Sequence, residues 1–95
     1  MVDPLLSAFG ARLRSVRHQA GLSQERLAEQ AGFDRTYISL LELGKRAPSL
    51  IGIGRLARAL GVDPADLLAG VPADPSAEEE SGASSIARRT DGAPS

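Results

Sequence analysis

The chain has no cysteine, no tryptophan and a single histidine, His18, so several kinds of chemistry are closed to it. Without thiols there is no disulfide framework and no thiolate metal site, and one imidazole cannot form a constellation that needs two. No metal site and no cofactor are expected. Aromatic residues make up only 3% of the 95 residues, so Leu, Ile, Val and Ala must build the interior, and they are enough for one small domain. A domain of this size buries a low fraction of its unfolded surface, and pairing with a second copy is a common supplement. Long apolar runs are missing as well. None approaches the roughly 18 residues of a membrane span, and no signal-peptide succession of basic, apolar and small-residue zones is present. The arginines and serines of the first 20 residues are also found in transit peptides, but Asp3-Pro4 reads as a helix start and the apolar positions there are needed for the core. These absences point to a cytoplasmic protein without membrane association.

The formal net charge is -1, which conceals a division along the chain. Residues 1–70 carry nine Lys/Arg against seven Asp/Glu, a net of +2, and residues 71–95 carry two against five, a net of -3. The first part is mildly basic, which permits a polyanionic partner without demanding one.

Apolar spacing predicts five helices. Leu5, Leu6, Phe9, Leu13, Val16 and Ala20 recur at helical intervals behind Asp3 as a cap and Pro4 at the first helical position, up to Gly21. Ser23 caps a second run with Leu27, Ala28 and Ala31 on one face, closed by Gly32. Asp34 opens a third, in which Ile38 and Leu41 turn inward before Gly44. Ser49 opens a fourth, with Leu50, Ile53, Leu56, Ala57 and Leu60 as its stripe and Gly61 as its end. Asp63-Pro64 repeats the opening signature for a short fifth helix carrying Leu67 and Leu68 to Gly70. No segment alternates with period two, so the fold class expected is all-α. From Pro72 onward Pro, Ala, Ser and Gly dominate, Glu78-Glu79-Glu80 forms a charge run and Ile86 is the only large apolar residue. Such a stretch buries too little to offset its ordering entropy, so residues 1–71 are expected to form the domain and residues 72–95 a disordered acidic tail.

The tight junction "AGFD" between the second and third helices is the most informative local feature. A left-handed Gly32 would supply a sharp bend, Phe33 would drop into the core, and the small Ala28 would let the two helices cross closely. That layout holds the third helix proud of the body. On a helical wheel, Leu41 and Glu42 fall near the inner side with Ile38. Thr36, Ser39, Leu40 and Leu43 fall opposite, flanked by Arg35 and Tyr37. The outer face is short, mixed and nearly uncharged. Base edges in a major groove suit it: hydroxyls bond to several bases, an arginine grips guanine with two bonds and a leucine meets a thymine methyl.

The stretch "LSQERLAEQAGFDRTYISLLELGKRAPSL" resembles the phage-repressor and Cro type of helix-turn-helix domain, the xenobiotic-response-element family, over about residues 7 to 70. The agreement lies in Ser23-Gln24, Leu27-Ala28, Ala31-Gly32, Ile38-Ser39, Glu42, Gly44-Lys45, Pro48 and Leu60-Gly61-Val62, all in register. "DRTYIS" is especially similar to small controller proteins of restriction-modification systems. The resemblance implies a five-helix, lambda-repressor-like DNA-binding domain and a transcriptional regulator. It implies a homodimer bound to a near-palindromic double-stranded DNA operator, with residues 34–43 in the major groove. It further implies that Gln24 bonds a backbone phosphate, that Arg35, Thr36, Ser39 and Leu40 face the bases, and that Tyr37, Lys45 and Arg46 meet flanking phosphates. Arg17 corresponds to the family's arginine that pairs with the glutamate found here as Glu42.

Leu40 and Leu43 depart from positions that are often polar in relatives. Gly52 and Gly54 lie inside the fourth helix at a cost of about 1 kcal/mol each relative to Ala, which asks for a close neighbour. A dimer partner near Gly54, beside an exposed Ile51, would be one. An antitoxin-like interaction module, binding DNA secondarily, is the alternative reading. An enzyme is not expected, because Ser23, Ser39 and Ser49 serve as caps or contact residues and His18, a solvated residue, sits on a different helix. No small-molecule effector is expected.

Overall fold

The computed structural model describes residues 3–73, and these form five helices and no strand. They are α1 (Pro4–Gln19), α2 (Gln24–Ala31), α3 (Arg35–Glu42), α4 (Leu50–Leu60) and α5 (Pro64–Leu67). The starts lie where the cap residues put them. Asp3 Oδ1 accepts the Leu5 N–H at 2.7 Å with Pro4 as the first helical residue, Ser23 Oγ accepts the Arg26 N–H at 3.0 Å, and Ser49 Oγ accepts the Gly52 N–H at 2.9 Å. Each cap satisfies one N–H that the helix cannot, an effect of about 1 kcal/mol. Asp34 has the extended backbone of a cap but makes no side-chain cap bond. At α5 the Asp63 N–H donates to Asp66 Oδ2 at 3.0 Å. Gly32 closes α2 in the left-handed region at φ 79°, as the bend requires.

Helix α1 packs on α3 and α5, α2 packs on α3 and α4, and α4 packs on α5, so the apolar faces close around one core. Leu13, Leu27, Ile38, Leu41, Leu56 and Leu67, at least one from every helix, are its largest fully buried side chains. Each contributes about 1.5–3 kcal/mol by leaving water. Arg12 ties the last helix to the first, its Nε donating to the Asp66 carbonyl at 2.6 Å.

The observed structure differs from the sequence-based expectation at four places. Leu50 is 82% exposed and does not belong to the α4 stripe: it is the first residue of the helix, and periodicity alone cannot tell whether a neighbour covers it there. Helix α5 stops at Leu67, and the chain tightens through Leu68 N–H to Ala65 O and Ala69 N–H to Asp66 O bonds, leaving Leu68 exposed. Phe33 is half-buried and packs at the edge of the core, not within it. In the α1 stripe, Leu5 and Leu6 are likewise only half-buried, and Ala20 is exposed as the cap just past the end of the helix. Residues 74–95, the greater part of the expected tail with its Glu78 to Glu80 run, lie outside the described residues.

Candidate nucleic-acid interface

Helix α3 is anchored by its inner face. Ile38 and Leu41 are fully buried, while Arg35 and Thr36 are exposed and Ser39 and Leu40 half-buried on the opposite side. The wheel reading of this helix therefore holds, with Leu43 exposed at its end. Gly44, at φ 73°, turns the chain out of α3, with the Gly44 N–H bonded to Leu41 O and the Lys45 N–H to Leu40 O. Lys45 and Arg46 follow at once and are exposed.

The ion pairs among the described residues are Arg17–Glu42 and Arg26–Glu29. Arg35, Lys45 and Arg46 therefore face solvent without a carboxylate partner among those residues; Glu42, the one acid within α3, is turned inward and already neutralised, and the exposed Asp34 stands at the start of the helix. Arg17 Nε donates to Glu42 Oε2 at 2.6 Å and Arg17 Nη2 to Oε1 at 3.0 Å, with both side chains nearly sealed at 8% and 4% exposure. Arg17 Nη1 also donates to the Leu22 carbonyl at 2.8 Å, so the fork is satisfied on both sides. His18 is exposed, its Nε2 3.3 Å from Arg17 Nη2.

Gln24 stands at the first position of α2 and joins the same network, its Nε2 donating to Glu42 Oε1 at 3.0 Å. The expected phosphate contact thus has a second partner inside the protein, which fixes the amide and leaves it one further N–H. The backbone N–H groups of Gln24 and Glu25 have no acceptor among the described residues, as at any helix start beyond its cap. Tyr37 is half-buried. Its ring lies 4.7 Å from that of Phe33 and 5.4 Å beneath the Arg46 guanidinium. Two positions were missed by sequence reasoning. Gly10 lets α1 approach the end of α3, where a Cβ would lie 2.5 Å from Leu41 O and 2.6 Å from Glu42 O. Arg55 of α4 bonds the carbonyls of the corner. A lone glycine in α1 was the available signal for the first, and nothing in the sequence marks the second.

A left-handed glycine corner, a buried ion pair fixing the second member's far end and an exposed helix face rimmed by unpaired cations define a helix-turn-helix module for an anionic duplex. A family model for the helix-turn-helix domain matches residues 8–69, and the chain belongs to that family. Control protein C.BamHI from Bacillus amyloliquefaciens is 42% identical over 69 residues, which cover 72% of this chain and 85% of that protein. The restriction-modification controller protein C.AhdI from Aeromonas hydrophila has a similar structure, with TM-score 0.64 and 48% identity over 65% of this chain and 94% of that one. The clp gene regulator ClgR from C. glutamicum aligns with TM-score 0.67 and 38% identity over 73% of this chain and 92% of that one. The protein is a DNA-binding transcriptional regulator of a non-enzymatic family. Among the described residues no helix is long and apolar enough to cross a membrane.

Proposed function

We propose that the chain acts as a homodimer on a near-palindromic operator, with α3 of each copy in the major groove. Arg35, Thr36, Ser39 and Leu40 meet base edges, while Lys45, Arg46 and Tyr37 flank them at phosphates. The free N–H groups at the start of α2, with the remaining amide hydrogen of Gln24, receive a phosphate on the other side. The observation that carries this reading is the exposed face of α3 with three cations around it that have no described carboxylate partner. The dimer forms through the opening of α4. Leu50 and Ile51 are 82% and 75% exposed there, and a Cβ at Gly54 would have no neighbour within 4 Å. A twofold axis at this face would pair apolar patches of two copies and space two recognition helices about 34 Å apart, one turn of duplex.

Selection of bound sites from random duplex DNA tests the reading. The expected product is a pair of inverted half-sites with centres about one helical turn apart. Repeating the selection with Arg35→Ala should relax one position per half-site, at a cost of about 1–3 kcal/mol against the wild-type site. Uniform weakening across all sequences would instead make Arg35 a phosphate anchor.

A further inference from the structure

Arg55 of α4 has no place among the residues proposed to meet the duplex, yet it holds the corner between α2 and α3. Its Nε donates to the Ala31 carbonyl at 3.0 Å and its Nη2 to the Gly32 carbonyl at 2.7 Å. These are acceptors at the C-terminal end of α2, the helix end where carbonyls lack intrahelical partners and a cation is favoured. The same guanidinium lies over the Phe33 ring, 4.2 Å from its centroid. A planar fork can bridge two carbonyls and cover an aromatic face at once, which an ammonium cannot do.

Phe33 passes the contact on. It meets Tyr37 at 4.7 Å with the rings tilted by 47°, and Tyr37 in turn lies under Arg46 at 5.4 Å. Arg55, Phe33, Tyr37 and Arg46 therefore form a continuous stack from the corner between α2 and α3 to the loop after α3. The stack also runs beside the α4 backbone at Gly52, where a Cβ would stand in ordinary contact with the Tyr37 hydroxyl, at 3.4 Å, and with Phe33 Cζ, at 3.7 Å. Both ends of α3 are thus referenced to α4, through a residue that belongs to neither helix of the motif.

We infer that Arg55 is a positioning residue for DNA recognition: it sets the angle of the corner and, through Phe33, the places of Tyr37 and Arg46 on the duplex. This rests on the operator-binding reading above. The chain has one tyrosine and no tryptophan, so its intrinsic fluorescence reports Tyr37 alone. In DNA-free protein, Arg55→Met should make that emission more accessible to acrylamide quenching. Well below the melting temperature of every variant, titrations against the selected operator and a scrambled duplex should show the preference for the operator reduced at least about fivefold, the low end of what one lost base-pair contact costs. Arg55→Lys, which keeps a cation at the helix end but loses the fork, should fall between, and Arg58→Met on the same helix should match the wild type. If Arg55→Met does not fold, Arg55→Lys decides by the same ratio. A preference and a quenching constant equal to the wild type's, whatever the melting temperature does, would overturn the inference. Wild-type protein that fails to discriminate operator from scrambled duplex would instead overturn the operator reading and this inference together.

Discussion

Glu42 connects three helices through one carboxylate, since it accepts from Arg17 of α1 on both oxygens and shares one of them with Gln24 of α2. Removing it leaves a guanidinium buried without its counter-charge, which typically costs about 3–5 kcal/mol. In a domain of this size 1 kcal/mol shifts the midpoint by about 4–8 °C, so Glu42→Ala should lower the melting temperature by more than about 10 °C. Arg35, Thr36, Ser39 and Leu40, which are proposed to face the bases, do not bond to Glu42 among the described residues, so the site selected by the folded fraction should remain the same. Circular-dichroism melts and site selection at low temperature check both halves. Unchanged melting would show that the pair is not structural.

Between elements, the contact of α1 with α3 is governed by what Gly10 lacks. Ala is the better helix former by about 1 kcal/mol, and in an exposed helix Gly→Ala would stabilise. Here the added Cβ would lie 2.5 Å from one backbone carbonyl oxygen and 2.6 Å from the next, and backbone does not give way as a flexible side chain does. Gly10→Ala should therefore destabilise by about 1–3 kcal/mol, the usual range for overpacking, measurable by urea titration. A more stable variant would mean that α1 can slide off α3 at no cost. The contrast shows which parts of the fold local chemistry dictates. Helix starts were legible because Ser23, Ser49 and Asp3 cap through their own side chains, and helix ends because glycines such as Gly32 mark left-handed turns. The outer face of α3 was legible from its local periodicity, whereas the pairing of Arg17 with Glu42, distant in the chain, was legible only through family resemblance. Gly10, Arg55 and the Gly52–Tyr37 approach depend on which helix arrives from a distant part of the chain; a glycine inside a helix signals a close neighbour without saying which, and nothing local marks Arg55. Leu50 was misplaced by the same limit: its spacing assigns a side of the helix, not whether a neighbour extends far enough to cover it.

For the whole molecule, the question is whether two copies meet at the start of α4. Ile51 is the sharper probe, because a carboxylate placed there would be desolvated against its twofold mate. Ile51→Glu should leave the melting of dilute chains nearly unchanged, shift sedimentation to the monomer and weaken operator binding by the loss of the second half-site. Affinity for a single half-site should be retained, with its steep dependence on salt. Gly54 gives the more discriminating measurement. In an isolated chain Gly54→Ala places a methyl in open space and gains about 1 kcal/mol of helix propensity, so the monomer should melt higher. In a dimer whose partner backbone lies against Gly54 the same methyl collides, so the dimer should dissociate at a higher concentration. The two effects have opposite signs and are separated by analytical ultracentrifugation across a dilution series. A variant that melts higher and dimerises as tightly as the wild type would move the interface away from α4, and with it the spacing of the recognition helices from which the half-site separation follows.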